Sequence, residues 1–308
     1  MDKNILRVRI RAARAADRAD AAAICDRIYE DGSDYLPQLW DEWLNDRGGQ
    51  FIVAEVEGRL VGVAKRTHLA DDEYWLEGLR VSPAYQGQGI AARLQAHLVD
   101  GLHRMGGGTL RFATHSGNRP VHRLAARDGF QHVATYRLYR AEPAWGKVTV
   151  SLRPLTGDDL NEAWTLIQGS PGCSAANSLY ETFWSWQTLT REKLADQLLR
   201  GGGWGIDEDD TLAALALLCD TDKKDALDVS YVDGSREALA LLLMGLRELA
   251  AQRGCDKVRF RAAEEPELMN AIEEAGYWES WDRELRVYET FAAGGRRQSD
   301  ESPRLDAD

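Results

Sequence analysis

An α/β fold built twice is what this sequence predicts. Stretches in which apolar and polar residues alternate, the period of a strand, are interleaved with stretches whose apolar residues recur at helical spacing. In the first half an apolar strand ending at Val81 runs through Gln86-Gly87-Gln88-Gly89 straight into an alanine-rich helix. The second half then repeats the pattern. Ile10-Arg11-Ala12-Ala13 matches Leu152-Arg153-Pro154-Leu155, Leu110-Arg111-Phe112 matches Val258-Arg259-Phe260, and Gly129-Phe130 matches Gly276-Tyr277, at offsets of 142, 148 and 147 residues. These matches point to a duplicated domain with small insertions, and 308 residues suffice for two domains.

Ile5 to Ala12 alternates apolar and basic residues and reads as a strand, and Ala15 to Tyr29 reads as an alanine-rich helix. Leu36 to Leu44 is a second, aromatic helix, ended by Gly48-Gly49. Phe51 to Val56 and Arg59 to Lys65 form a hairpin around Glu57-Gly58, and Tyr74 to Val81 is the strand entering the glycine loop. The helix behind the loop ends at Gly106-Gly107-Gly108. A strand over Thr109 to Thr114 follows, then Asn118, a short helical run, Asp128-Gly129-Phe130 and a closing strand around Tyr136 to Tyr139. Arg283 to Glu289 repeats the ending Tyr136 to Glu142. The expected organisation is a first domain over 1–142, a linker over 143–149, a second domain over 150–291 and a tail over 292–308 with too little apolar pattern to order itself.

Composition removes several functions. No window approaches the roughly 20 apolar residues of a membrane helix, and Met1-Asp2-Lys3-Asn4 holds no signal-peptide core, so the reading is a cytoplasmic protein with no membrane partner. Cys25, Cys173, Cys219 and Cys255 make neither a metal pattern nor a disulfide framework. Residues 1–146 carry 20 basic and 19 acidic side chains, and the remainder 18 and 31. An acidic second half argues against nucleic acid, whose phosphates it would repel. All six histidines (68, 97, 103, 115, 122 and 132) lie in the first half.

The loop is the chemical signal. Consecutive backbone N–H groups, with the positive end of a helix dipole behind them, form a cradle for phosphate oxygens, and glycine lets the ligand approach the backbone. The triphosphatase loop is excluded because no Gly-Lys-Ser/Thr occurs here, and the dinucleotide fingerprint because no ribose-binding acid follows at the right place. Gln86-Gly87-Gln88-Gly89-Ile90-Ala91, preceded by Val81-Ser82-Pro83, resembles the Q/R-x-x-G-x-G/A signature of the GNAT superfamily of N-acetyltransferases. The later strand, Asn118 and Gly129-Phe130 continue that resemblance, which covers residues 7–142.

The resemblance implies a mostly antiparallel mixed sheet flanked by helices in each copy, and acetyl-CoA as cosubstrate. It assigns the pyrophosphate to Gln86, Gly87, Gln88, Gly89, Ile90 and Ala91, the pantetheine arm to Asn118, and the thioester carbonyl to backbone N–H groups around Leu79 to Val81. Acetyl transfer to an amine needs a base, because an alkylammonium with a pKa near 10 has no lone pair to attack with. Glu77, four residues before Val81, is the first choice. Glu73 shares its strand face but lies at the strand start, where more exposure is expected, and His115 is the alternative base or partner. Many relatives carry a tyrosine seven residues after the asparagine to protonate the departing thiolate. Here that position is Ala125, leaving His122, Tyr136 or no group for the task.

The second copy lacks these parts. Ser230 to Ala238 holds a single glycine, with Asp233 where phosphate would sit, and Glu264-Glu265-Pro266 replaces the asparagine. The expectation is a degenerate domain with a structural role. Tyr35, Trp40, Trp43, Trp184 and Trp186 are expected as core aromatics at helical spacing, with an acceptor pocket as the alternative. The reading is an N-acetyltransferase for a small-molecule amine, monomeric or homodimeric. Its alternatives are a protein or peptide N-acetyltransferase and a non-catalytic acyl-CoA-binding scaffold.

Overall fold

Alternation along the second strand decides how the first half folds. The computed structural model describes residues 6–144, 151–219 and 225–293. The chain divides into two compact units, residues 1–110 with 290–308, and residues 111–289. In the first unit, β1 (Val8–Ala12) leads through a 3₁₀ turn into α1 (Arg18–Ile28) and α2 (Leu36–Asn45). Strands β2 (Gln50–Val56), β3 (Arg59–Ala70) and β4 (Glu73–Val81) follow, and then α3 (Ile90–Met105). β1 to β4 pair as an antiparallel meander. Ile52, Ala54 and Val56 of β2 pack with Ile90, Leu94 and Leu98 of α3. Phe51 and Val53, pointing the other way, pack with Ala21 and Cys25 of α1 and Leu36, Trp40 and Trp43 of α2. Helices thus cover both faces of the meander.

One irregularity in this sheet bears on the site. The β3–β4 register passes from Val63 opposite Arg80 to Lys65 opposite Glu77, which leaves one extra residue on β4 at Gly78-Leu79. Gly78 has φ +65°, and a Cβ there would lie 2.5 Å from the Trp43 ring. Glycine is required twice at this position, for the left-handed backbone and for the indole packed against it.

β5 (Gly107–His115) carries the chain into the second unit, where α4 (Arg119–Arg127) and β6 (Gln131–Ala141) follow. Next come β7 (Arg153–Pro154), α5 (Leu160–Ile167), α6 (Pro171–Ala175) and the hairpin β8 (Leu179–Thr182) and β9 (Ser185–Thr188). Then come α7 (Arg191–Leu199), β10 (Gly203–Glu208), β11 (Thr211–Leu218) and β12 (Ala226–Gly234). The unit ends with α8 (Arg236–Gln252), β13 (Lys257–Ala263), α9 (Pro266–Glu274), β14 (Trp278–Glu279) and β15 (Leu285–Ala293), whose last residues pass into the first unit. The succession β10, β11, β12, α8, β13, α9, β15 repeats β2, β3, β4, α3, β5, α4, β6. β12 and β13 are parallel neighbours while β10–β11 and β11–β12 are antiparallel, so the sheet is mixed, and α8 buries a nearly all-apolar face on it.

The repeats exchange strands. β6, which closes the first repeat in sequence, pairs with β13 on one side and β15 on the other, both from the second repeat. The sequence indicated two copies but not this exchange. Residues 145–150, most of the expected linker, lie outside the described residues. So does the expected tail, except Ala292 and Ala293, which end β15. Phe183 and Trp184 are not helical: they form the turn of the β8–β9 hairpin at φ +50° and +65° and are exposed, while Trp40, Trp43 and Trp186 are core. Among the described residues, no helix is long and apolar enough to cross a membrane.

Replacing Gly78 with alanine forces a side chain into a left-handed residue and against Trp43, and is expected to destabilise the protein by about 2–4 kcal/mol. Chemical denaturation of Gly78→Ala beside the wild type measures this, and an unchanged midpoint would contradict the bulge geometry.

Candidate functional site

Past β4 the chain makes a 3₁₀ turn over Pro83–Tyr85 and enters α3 through Gly87 and Gly89, at φ +75° and +78°. A Cβ added at either glycine meets no atom within 4 Å. Packing therefore does not demand glycine here; the left-handed backbone does, and the space in front of it is open. Gln86 Nε2 donates to the Val81 carbonyl and Gln88 Nε2 to the Ala84 carbonyl, both at 3.2 Å, folding these amides back along the loop. Gly89 offers no side-chain cap, so the N–H groups of the first turn of α3 point out of the helix without a capping acceptor. Gln86 to Gly89 are exposed, Ile90 is buried and Ala91 is half-buried. A helix start of this kind can receive an anion on its backbone N–H groups.

On β4, in the same unit, Leu79 and Glu77 are half-buried and Val81 is buried. The Thr67 hydroxyl donates to the Glu77 carboxylate. Burial raises the Glu77 pKa above the ordinary glutamate value, while Thr67 and the Lys65 ammonium hold it back and Glu42 and Asp46 push it further up. Lys65 is fully buried and ion-paired with Asp46, so its charge is already committed. Glu73 is buried, contrary to the exposure expected at a strand start. Its place opposite Ala70, at the far end of a β3 that runs five residues beyond the predicted Lys65, encloses it. The sequence reading ended β3 too early to find Thr67; the continued alternation through Arg66-Thr67-His68 was the available signal.

In the second unit, His115 ends β5 and Asn118 precedes α4. The Asn118 amide donates to Thr114 Oγ1 at 2.9 Å and does not cap its helix. Arg283 Nη1 lies 3.3 Å from His115 Nδ1, and Trp281 meets the imidazole edge-on at 5.8 Å. Burial, then Arg283 and His122, lower the His115 pKa. Tyr136 is buried with its hydroxyl 3.3 Å from the Ala176 carbonyl, and Ala125 is fully buried.

The model of the acetyltransferase (GNAT) family matches residues 18–130, a span that includes β4, the cradle, α3, β5 and α4. Residues 18–130 are a GNAT acetyltransferase domain. The histidine N-acetyltransferase of Xenopus tropicalis is 35% identical over 69 residues, 22% of this chain and 21% of the frog protein. The N-alpha-acetyltransferase RimI of Mycobacterium tuberculosis is 29% identical over 135 residues, 43% of this chain and 84% of RimI. The chain thus spans only about a fifth of the frog relative. The crystal structure of a GCN5-related N-acetyltransferase from Sphaerobacter thermophilus shares the fold over 94% of this chain and 96% of its own, with a TM-score of 0.63 at 15% identity. The second half therefore belongs to the shared architecture as well.

The second GNAT-like copy is closed where the first is open. Ser235 caps α8, its hydroxyl accepting from the Ala238 N–H at 3.3 Å. Asp233 is buried and takes hydrogen bonds from the Ser170 hydroxyl and the Tyr231 hydroxyl, each at 2.5 Å, and from the Gly234 N–H at 2.9 Å. Its own carboxyl thus fills the turn before α8, and burial raises its pKa. Glu265, in place of the asparagine, caps α9 by accepting from the Leu268 N–H at 2.6 Å.

Because the Thr67 hydroxyl favours the charged form of Glu77, Thr67→Val is expected to raise the Glu77 pKa further. Carboxyl chemical shifts followed through a pH titration check this; a lowered or unchanged pKa would contradict the arrangement.

Proposed function

We propose that the protein transfers an acetyl group from acetyl-CoA to the primary amine of a small molecule, with residues 1–142 as the catalytic domain and 150–291 as a non-catalytic copy. The observation that carries this reading is the contrast between the two helix starts. α3 begins uncapped behind two left-handed glycines with open space before them, whereas α8 is capped by Ser235 and faced by Asp233. Backbone N–H groups from Gln86 to Ala91 fit a pyrophosphate, Leu79 and Val81 offer backbone groups for the thioester end, and Asn118 an amide for the pantetheine arm. Acetyl-CoA supplies an activated acyl group whose thiol leaves readily.

Glu77 is the base in this reading. Its raised pKa brings a carboxylate closer to the strength needed to take a proton from an ammonium. His115 suits the task less well. Arg283 can only donate, so His115 Nδ1 is the accepting nitrogen, the neutral ring carries its hydrogen on Nε2, and that side is a donor. A peptide or protein N-terminus is the second reading, favoured by the alignment that covers most of RimI. An amine panel of L-histidine, glucosamine, diaminobutane and an alanyl peptide separates the two.

Calorimetric titration with acetyl-CoA is expected to show one site per chain. Gly89→Asp, which adds bulk and negative charge in the cradle, should weaken affinity by at least about tenfold, some 1.4 kcal/mol. Equal affinity in the two proteins would remove the cradle assignment. For Glu77 the sign is set by its ionisation: the base works deprotonated, so kcat/KM rises with pH through its pKa. Burial places that acid limb above the roughly 4.3 of an ordinary glutamate. Glu77→Gln should abolish the limb and lower kcat/KM about 100-fold near neutrality, with a smaller loss at high pH where free amine is abundant. A Glu77→Gln enzyme that kept the wild-type profile would rule this base out.

A further inference from the structure

A cavity of about 500 Å³ opens beside α9, and every residue lining it falls between 137 and 279, within the second unit. That volume suits a small organic ligand. Four carboxylates line it, from Glu264, Glu265, Glu273 and Glu279, against the single guanidinium of Arg137. Arg137 is already committed: it donates to Glu264 at 2.6 Å, to Glu279 at 2.9 Å and to Glu284 at 3.3 Å. Glu265 and Glu273 are left without a cation of the chain among the described residues. Glu265 is only 8% exposed, and its Oε2 accepts from the Leu268 N–H at 2.6 Å. Its Oε1 has no hydrogen-bond partner among the described residues and is not sealed into the core. A half-satisfied carboxylate at that depth calls for a positive partner.

The rest of the wall is largely apolar and aromatic. Met269 and Ile272 of α9 line it, with the rings of Tyr139 and Tyr277. Both phenol hydroxyls are already bonded, Tyr139 to Met269 Sδ at 3.2 Å and Tyr277 to the Leu243 carbonyl at 2.9 Å. What remains for a ligand is ring surface, which attracts cations. By helical rise Glu265 and Glu273 stand roughly 12 Å apart along α9. A single metal ion does not bridge that spacing, and no group of three metal-ligating side chains occurs among the described residues. The first repeat gives an internal comparison. At the offset of 147 residues that relates Gly276 to Gly129, the four acids correspond to Gly117, Asn118, Ala126 and His132. None of these is acidic, so the negative lining is no requirement of the fold.

We propose that this cavity binds a flexible organic dication, an alkyl chain with an ammonium group at each end. One ammonium pairs with Glu265 at the start of α9 and the other with Glu273 about two turns later. The chain between them lies on Met269, Ile272 and the two tyrosine rings. The second copy thus has a ligand of its own, and the site does not depend on the transferase reading.

The test uses the full chain with ¹³C-methyl-labelled methionine, at fixed ionic strength because salt screens surface charge. Met269 lines the cavity and Met244 lies on α8 outside it, and Met269→Leu assigns the reporting signal. 1,6-Diaminohexane should shift Met269 saturably and leave Met244 in place. 1-Aminohexane, with one charge, should bind at least about tenfold more weakly, and adipate, the anionic counterpart, should cause no shift. Glu273→Gln alters an exposed side chain, and Glu265→Gln keeps an amide oxygen to accept from Leu268. Each should lower diamine affinity at least about tenfold. Glu274→Gln, the next position on α9 but outside the lining, should stay within about twofold. The site would be overturned by a Met269 signal that the diamine leaves unmoved, by equal affinity for the two amines, or by magnesium chloride shifting the signal as the diamine does. Equal losses in Glu273→Gln and Glu274→Gln would overturn it as well. Acetyl-CoA enters no arm, so none of these outcomes bears on the cradle.

Discussion

Helix α3 has to begin in the open, and much of the first unit is arranged to let it. A helix start without a capping side chain gives up about 0.5–2 kcal/mol, and two left-handed residues precede it. What secures this start lies behind it. Ile90, Leu94, Leu98 and Leu102 are all buried, and the first three pack on the β2–β4 meander. Burial of three or four such side chains, at about 1.5–3 kcal/mol each, outweighs the missing cap several times over. The apolar face fixes where the helix lies and leaves its first turn without a side-chain cap among the described residues.

The second copy meets the same geometric problem with the opposite solution. Ser235 and Glu265 cap the helices that correspond to α3 and α4, and Asp233 supplies the negative group from within the chain. Each of these residues satisfies locally a helix start or turn that the first copy leaves without a side-chain cap. They also account for part of the acidity of the second half, which composition alone could assign only to solubility.

Much of this was legible in the sequence because it is periodic or local. The glycine loop, the β2–β3 hairpin and the repeated strand–helix order are patterns of neighbours along the chain, and the structure places them where those patterns do. What escaped was non-local. Nothing in Tyr136 to Tyr139 says which strands will flank β6, because alternation fixes a face and not a partner. His122 and Tyr288 meet across 166 residues of sequence. Glu73 looked exposed because the length of β3 was underestimated. Phe183-Trp184-Ser185-Trp186 mimicked a helical aromatic cluster, whereas two residues at positive φ turn it into a hairpin. Thr67, which donates to the Glu77 carboxylate, is visible only once the register is known.

The exchange of strands makes the duplication hard to undo. β6 has β13 on one edge and β15 on the other, so the closing strand of the first copy is finished by residues encoded in the second. A gene shortened to its first half would produce a β6 with both edges bare, open to pairing with other chains. Whatever stands at the helix starts of the second copy, its strands β13 and β15 are needed to complete the sheet around β6.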